Sequence, residues 1–257
     1  MSPTEHCLLA ATDGVLTITL NRPQALNALH PAAHHELARV FDEFAANRSL
    51  RVAIVTGAGR AFCVGSDLKA IAAGGRQPRP TAGYAGLMLR EDLFKPVIAA
   101  VNGLCLGGGL EFLLCCDMAV ASENAEFGLP EPLVGLVADS GLPRLARQLP
   151  YKAAMKLALT STRVKADEAL RIGLVNEVVP ADQLLSTARA WAQQIVAGAP
   201  LAIEATKQIL LQNFREPDIF AATCASYPAL ALVHGSHDAK EGPQAFAAKR
   251  KPQWRGA

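Results

Sequence analysis

The chain has 257 residues, enough for one large α/β domain or two small ones. Hydrophobic residues make up 51% and charged residues 19%, which supplies a sizeable core and excludes a disordered composition. A net charge of +2 without a long basic run argues against nucleic acid as a partner, and no long uninterrupted apolar run predicts a membrane span. The opening residues MSPTEHCLLAATDG lack the basic start and apolar run of a signal peptide, so the expectation is a cytoplasmic protein.

In chain order, Thr17 to Leu20 alternates polar and apolar residues and predicts a strand ended by Asn21-Arg22-Pro23. A helix follows from Pro31 to about Asn47, with Leu37, Val40, Phe41 and Phe44 on one face. His34 and His35 precede Glu36 without HExxH spacing and are expected on the helix surface. Val52 to Val55, bounded by Thr56-Gly57, has the pattern of a buried parallel strand, repeated at Pro96–Val101 and Met118–Ala121. Helical segments lie between these runs, which implies an α/β fold with a parallel sheet and crossover helices. The segment from Gly74 to Pro80 predicts a mobile loop. Prolines at 150, 180, 200, 217 and 228 punctuate an Ala- and Leu-rich remainder. These features divide the chain into an α/β core, roughly 1–195, and a helical extension, roughly 196–257. The six cysteines, Cys7, Cys63, Cys105, Cys115, Cys116 and Cys224, show no CxxC pair, no His cluster has zinc spacing, and no metal site is expected.

Three segments carry candidate chemistry. Asn102 to Glu111 follows a buried strand and opens an apolar helix over Leu110–Cys116. Its glycines, Gly107-Gly108-Gly109, permit close approach to the backbone at a helix entrance rich in unpaired N–H groups. The segment is either a site for an anionic oxygen or a place of tight helix–strand packing. Glu111, one turn into that helix, is either a general acid/base with a raised pKa, a helix-dipole partner or half of a buried ion pair. Glu131, between Pro130 and Pro132, is biased toward extended geometry and is either a held catalytic carboxylate or a solvated loop residue. In the third segment, Gly57 to Leu68, Phe62 occupies the last glycine position of a dinucleotide fingerprint, so that motif is weak. Backbone N–H groups around Gly65-Ser66 are instead candidates for a second oxyanion donor.

These segments together resemble the crotonase (enoyl-CoA hydratase/isomerase) superfamily nearly end to end. Asn21 to Leu29 looks like its N-terminal segment, Ala61 to Lys69 its first oxyanion loop, Asn102 to Asp117 its second oxyanion motif, and Phe127 to Glu131 its second carboxylate motif. Gly173 to Asn176 and Glu241 to Arg250 resemble later signatures. The resemblance implies a spiral of repeated ββα units with a helical C-terminal region, 196–257, used in forming a homotrimer or a dimer of trimers. It implies an acyl-CoA thioester substrate, with CoA as part of the substrate and no separate cofactor. Its thioester oxygen would lie between the N–H groups of Ser66 and Gly108; Ser66 stands where many members have alanine. Glu111 and Glu131 match the carboxylate pair of hydratase-type members, which implies reversible hydration of a 2-enoyl-CoA. The alternatives are double-bond isomerisation and a non-catalytic acyl-CoA-binding role. The stretch Val134 to Leu145 and the tail Lys251 to Arg255 resemble the carnitinyl-CoA dehydratase branch. Asp139 matches by spacing a catalytic Asp of dienoyl-CoA isomerases, although the Glu111 position is typically Asp there; turn capping is the other expectation. Lys69, Lys249 and Arg250 either meet CoA phosphates, the last two from a neighbouring subunit, or are solvated surface charges.

Overall fold

The computed structural model describes residues 1–74, 78–214, 216 and 218–257. Residues 75–77 of the expected 74–80 loop, and Pro217, lie outside the described residues. Strands β1 (Cys7–Thr12) and β2 (Val15–Leu20) form an antiparallel hairpin around Asp13-Gly14. Both turn residues have positive φ, 51° and 79°, as a two-residue turn matching strand twist requires. Helix α1 (Pro31–Ala46) then crosses to β3 (Val52–Gly57), which pairs parallel with β2.

From β3 onward the chain winds in ββα units. Long β3 leads to short β4 (Ala61–Cys63) and α2 (Leu68–Gly74). Next come β5 (Val97–Val101), β6 (Leu104–Leu106) and α3 (Gly108–Leu113). Then follow β7 (Met118–Ser122), β8 (Glu126–Gly128), a 3-10 turn at Glu131–Val134, α4 (Leu142–Gln148) and α5 (Tyr151–Thr160). β9 (Val164–Lys165), α6 (Ala166–Arg171) and β10 (Glu177–Val179) complete the sheets, and α7 (Leu184–Val196) follows. One sheet is β1-β2-β3-β5-β7-β10, and a second, of strands of two or three residues, is β4-β6-β8-β9. This is the α/β spiral expected from the sequence.

The apolar runs are buried because the large sheet is covered on both faces. Ala53, Val55, Val97, Ala99 and Val101 join the core with Phe41, Phe44 and Phe112. Ile54, Ile98 and Val120 point the other way, against Ala188 and Ala192 of α7. Helix α3 spans Gly108–Leu113 rather than the expected Leu110–Cys116. It starts earlier because Gly107, at φ 55°, redirects the chain immediately after β6. It ends earlier because Cys115 and Cys116 donate to the carbonyls of Phe112 and Leu113, a tighter final turn leading into β7.

Asn27 holds the first ββα turn together. It is 1% exposed with φ 57°, a conformation Asn tolerates. Its amide donates to the carbonyls of Ala58 (3.0 Å) and Ala61 (2.7 Å), while its Oδ1 accepts from Arg22 N–H (2.9 Å). Asn27→Ala should leave these groups unpaired and lower stability by about 2–4 kcal/mol, read as a shifted urea midpoint with unchanged slope.

Helices α8 (Pro200–Asn213), α9 (Ile219–Cys224), α10 (Pro228–Gly235) and α11 (Asp238–Ala247) follow Gly198-Ala199. Lys207 pins α8 to the core, donating to Asp117 (2.7 Å) and to the Lys95 carbonyl (3.0 Å). The tail returns through Trp254, whose indole N–H donates to the Ala197 carbonyl (2.7 Å). Leu210, Phe214, Ile219, Phe220, Leu232 and Phe246 of this region are exposed, Phe246 to 86%.

Candidate active site

Two backbone loops meet at the entrance of α3. After β4, Leu29 N–H donates to the Gly65 carbonyl (2.8 Å) and Asp67 N–H to the Leu29 carbonyl (2.9 Å). This single parallel bridge leaves the Ser66 N–H outside the pairing. On the other loop, Gly107 N–H is bonded to Gly128, and the N–H groups of Leu110 and Glu111 turn back to the Gly107 carbonyl. The Gly108 N–H is therefore an orphan of the first turn. The loops touch: Gly65 has φ 94°, and a Cβ built on it would lie 2.8 Å from Gly108 N. The side wall is Tyr84, whose hydroxyl abuts Gly108 and accepts from the Ser66 hydroxyl at 3.5 Å.

Glu111 is 4% exposed. Its Oε1 accepts a hydrogen bond of 2.5 Å from the N–H of Gly141, just ahead of α4. Gly141 has to be glycine, because a Cβ there would lie 2.5 Å from Glu111 Cγ. Burial raises the Glu111 carboxyl from 4.5 to about 7; the Gly141 bond opposes the rise, and the charges of Glu131 and Asp139 add to it. Glu131 was expected to be extended, yet it opens a 3-10 turn. Proline is favourable just inside such a turn, since Pro132 gives up an N–H that would go unbonded there. The turn carries the Glu131 carboxyl over Gly107, whose Cβ position lies 2.9 Å from Oε1. Burial also raises the Glu131 carboxyl, and its Oε2 is buried without a hydrogen-bond partner.

Glu111, Glu131, Ser66 and Gly108 border one cavity of about 890 Å³, together with Lys69, Asp139 and Arg79. Lys69 is an exposed residue on α2. Asp139 is exposed, and its Oδ1 accepts from the Ser140 hydroxyl (3.1 Å). Lys249 and Arg250 border neither this cavity nor the larger one beside it. Within the chain, Arg250 makes a bidentate pair with Glu241 (2.6 and 2.8 Å). His34, expected at the surface, is buried on the cavity side of α1, where its Nδ1 accepts from Ala85 N–H (3.0 Å). That burial, with Arg79 and two neighbouring histidines, lowers its pKa to about 4. His35 is exposed as expected. Gly141, Tyr84 and Arg79 were missed. For Gly141 a signal was available: a glycine followed by Leu-Pro at a helix start.

Comparison with known proteins fits this geometry. The family model described as enoyl-CoA hydratase/isomerase matches residues 10–257. The chain belongs to the enoyl-CoA hydratase/isomerase family. It is 44% identical over 269 residues to a protein named carnitinyl-CoA dehydratase of Proteus mirabilis, covering the whole of both chains. It is 38% identical to the (E)-benzylidenesuccinyl-CoA hydratase of Thauera aromatica, over 97% of this chain and 98% of that one. Among solved structures, enoyl-CoA hydratase from Mycobacterium tuberculosis H37Rv superposes with a TM-score of 0.92 at 41% identity, over 98% and 99% of the two chains. The ββα spiral is thus the crotonase fold of this family, and the oxyanion and carboxylate segments of the sequence resemblance all meet in one cavity.

The Glu111 carboxyl also makes stability depend on pH. Its pKa is about 7 folded against an ordinary 4.5, so between these values the folded chain binds the extra proton. Stability from this group is full below pH 4.5 and is lost as pH rises to about 7. Glu111→Gln should remove that slope and be more stable than the parent above pH 7, by a few kcal/mol in order of magnitude. Melting temperatures of both proteins at pH 5 and pH 8 check the sign.

Proposed function

We propose that this protein is an enoyl-CoA hydratase that reversibly adds water across the double bond of a 2-enoyl-CoA. The observation that carries this reading is a pair of carboxyls, buried Glu111 and half-buried Glu131, both raised in pKa by burial and facing one cavity beside two unpaired backbone N–H groups. The N–H groups of Ser66 and Gly108 hold the thioester oxygen. Glu111 starts ionised and takes a proton from water as the water oxygen bonds to Cβ. The double-bond electrons move toward the thioester, and negative charge collects on its oxygen, where the two amides stabilise it. Glu131 delivers a proton to Cα as the carbonyl re-forms. Dehydration runs the same steps backward, consistent with relatives named both hydratase and dehydratase. Because the two carboxyls interact, one shared proton suits the pair, and its apparent pKa values belong to both.

The test is direct. Purified protein mixed with a short 2-enoyl-CoA should bleach the conjugated enoyl-thioester absorbance and yield a product heavier by one water. A shifted alkene of unchanged mass would mean isomerisation instead. No change with any of a panel of chain lengths would leave only a binding role.

We further propose that Lys69 contacts the CoA phosphates at the cavity mouth. The exposed apolar side chains of α8–α11, among them Phe246 and Phe220, support the trimer that the resemblance implies. With Lys249 and Arg250 outside both cavities of the single chain, any contact of theirs with CoA runs through a neighbouring subunit's site. Sedimentation at micromolar concentration should give three or six times the chain mass.

A further inference from the structure

We infer that Arg79 selects a 2-enoyl-CoA whose acyl group carries a carboxylate beyond Cβ; this rests on the hydratase reading above. The catalytic cavity adjoins a larger one of about 1120 Å³, lined by Leu87, Met88, Phe94 and Cys115 among others. Arg79 and Asp139 are the two residues that border both. With the thioester oxygen at Ser66 and Gly108 and Cβ between the glutamates, an acyl group reaching from the catalytic cavity toward the larger space crosses the border these two residues share. An acyl group longer than Cβ must meet Arg79 there.

The guanidinium of Arg79 is half-buried above the Tyr84 ring, 4.9 Å from its centroid. It has five N–H donors, of which one bonds to Ser140 Oγ at 3.2 Å. Among the described residues it forms no ion pair. A half-buried cation that meets its neighbouring acid, Asp139, only through a shared hydroxyl keeps donors that a ligand's anion can satisfy. A substrate carboxylate would complete the fork in the bidentate geometry that guanidinium favours.

The surrounding charge agrees. Five basic and three acidic side chains line the larger cavity, which repels a cationic acyl tail. Arg90 and Lys207 are neutralised by Asp42 and Asp117. Arg144, like Arg79, has no ion pair among the described residues; its Nη2 donates to the Met88 carbonyl at 2.8 Å. The acid at the passage, Asp139, shares the Ser140 hydroxyl with Arg79, since that hydroxyl donates to Asp139 Oδ1 and accepts from Arg79. With those pairs set aside, Arg79, Arg144 and Arg147 remain against Glu91 and Asp139, and the balance stays positive.

The experiment uses three thioesters that differ only in what C4 carries: 4-carboxybut-2-enoyl-CoA, 5-methylhex-2-enoyl-CoA and 4-trimethylammoniobut-2-enoyl-CoA. Hydration by the full chain should favour the carboxylate over the isopropyl group by about tenfold or more in kcat/KM, with the ammonium last. Arg79→Gln should bring the carboxylate-to-isopropyl ratio close to one, and Arg79→Lys, which keeps the charge and loses the fork, should retain only part of the preference. Because the readout is a ratio, an overall loss of activity does not obscure it. No carboxylate preference in the parent, a preference unchanged in Arg79→Gln, or an equal loss on all three thioesters would each overturn the inference; the last places Arg79 on the shared CoA part or in the fold. Failure to hydrate any of the three would sink the hydratase reading itself, and the inference with it.

Discussion

Glu111→Gln and Glu131→Gln should each slow hydration of a short 2-enoyl-CoA by about two to four orders of magnitude, the range for a positioned acid or base. Glutamine matches glutamate in size and can still accept the Gly141 N–H bond, so the fold should survive in both variants. What disappears is a basic oxygen at one position and a transferable proton at the other. The double variant should be little worse than either single one, because the two groups act as one unit on one water. Rates followed by enoyl-thioester absorbance, with far-UV circular dichroism as the folding control, decide the matter. Two fully active single variants would remove the mechanism and leave the family assignment standing.

Gly65→Ala is expected to be nearly as damaging, for a reason without acid–base chemistry. Its backbone has φ 94°, outside ordinary L-residue space, and the added Cβ would meet Gly108 N at 2.8 Å. Both atoms belong to main chain, so no flexible side chain can move aside. The loops bearing Ser66 and Gly108 must separate, and one misaligned donor costs about 10²–10³ in kcat. Backbone strain adds about 1–3 kcal/mol of lost stability. Gly173→Ala is the matched control, because Gly173 also has positive φ (79°) but nothing lies within 4 Å of its Cβ position. It should lose stability while keeping kcat. If both variants behave alike, the tight contact between the loops has no part in turnover.

What the sequence revealed depended on how local each feature is. The strands at Val52, Val97 and Met118 were legible because a strand covered on both faces must be apolar throughout, and that shows in a few consecutive letters. Glu111 and Gly108 were legible as candidates because a triple glycine at a helix entrance is a local signal. Glu131 was misjudged in geometry: the rule for a residue before proline favours extension, yet Pro132 fits the start of a tight helical turn equally well. His34 shares a helix with exposed His35, and its burial comes from Tyr84 and Ala85, some fifty positions away. Arg79 and Tyr84 lie in a stretch with no readable motif, and only the tertiary winding carries them to the cavity. Gly141 acts through a backbone N–H, which no side-chain pattern announces.

The bridge between Leu29 and Ser66 has a consequence for how the molecule matures. The cavity is bordered by Leu29, Ser66, Gly108, Glu111 and Glu131, with Gly141 clasping Glu111, so no single coil of the spiral contains a working unit. A chain emerging from the ribosome would hold its paired amides and both carboxyls before the Gly141 clasp on Glu111. After dilution from urea, most of the helical signal should therefore return before any turnover does, since distant closures form slowly. Regained catalysis would then serve as a clock for the last winding step rather than for collapse.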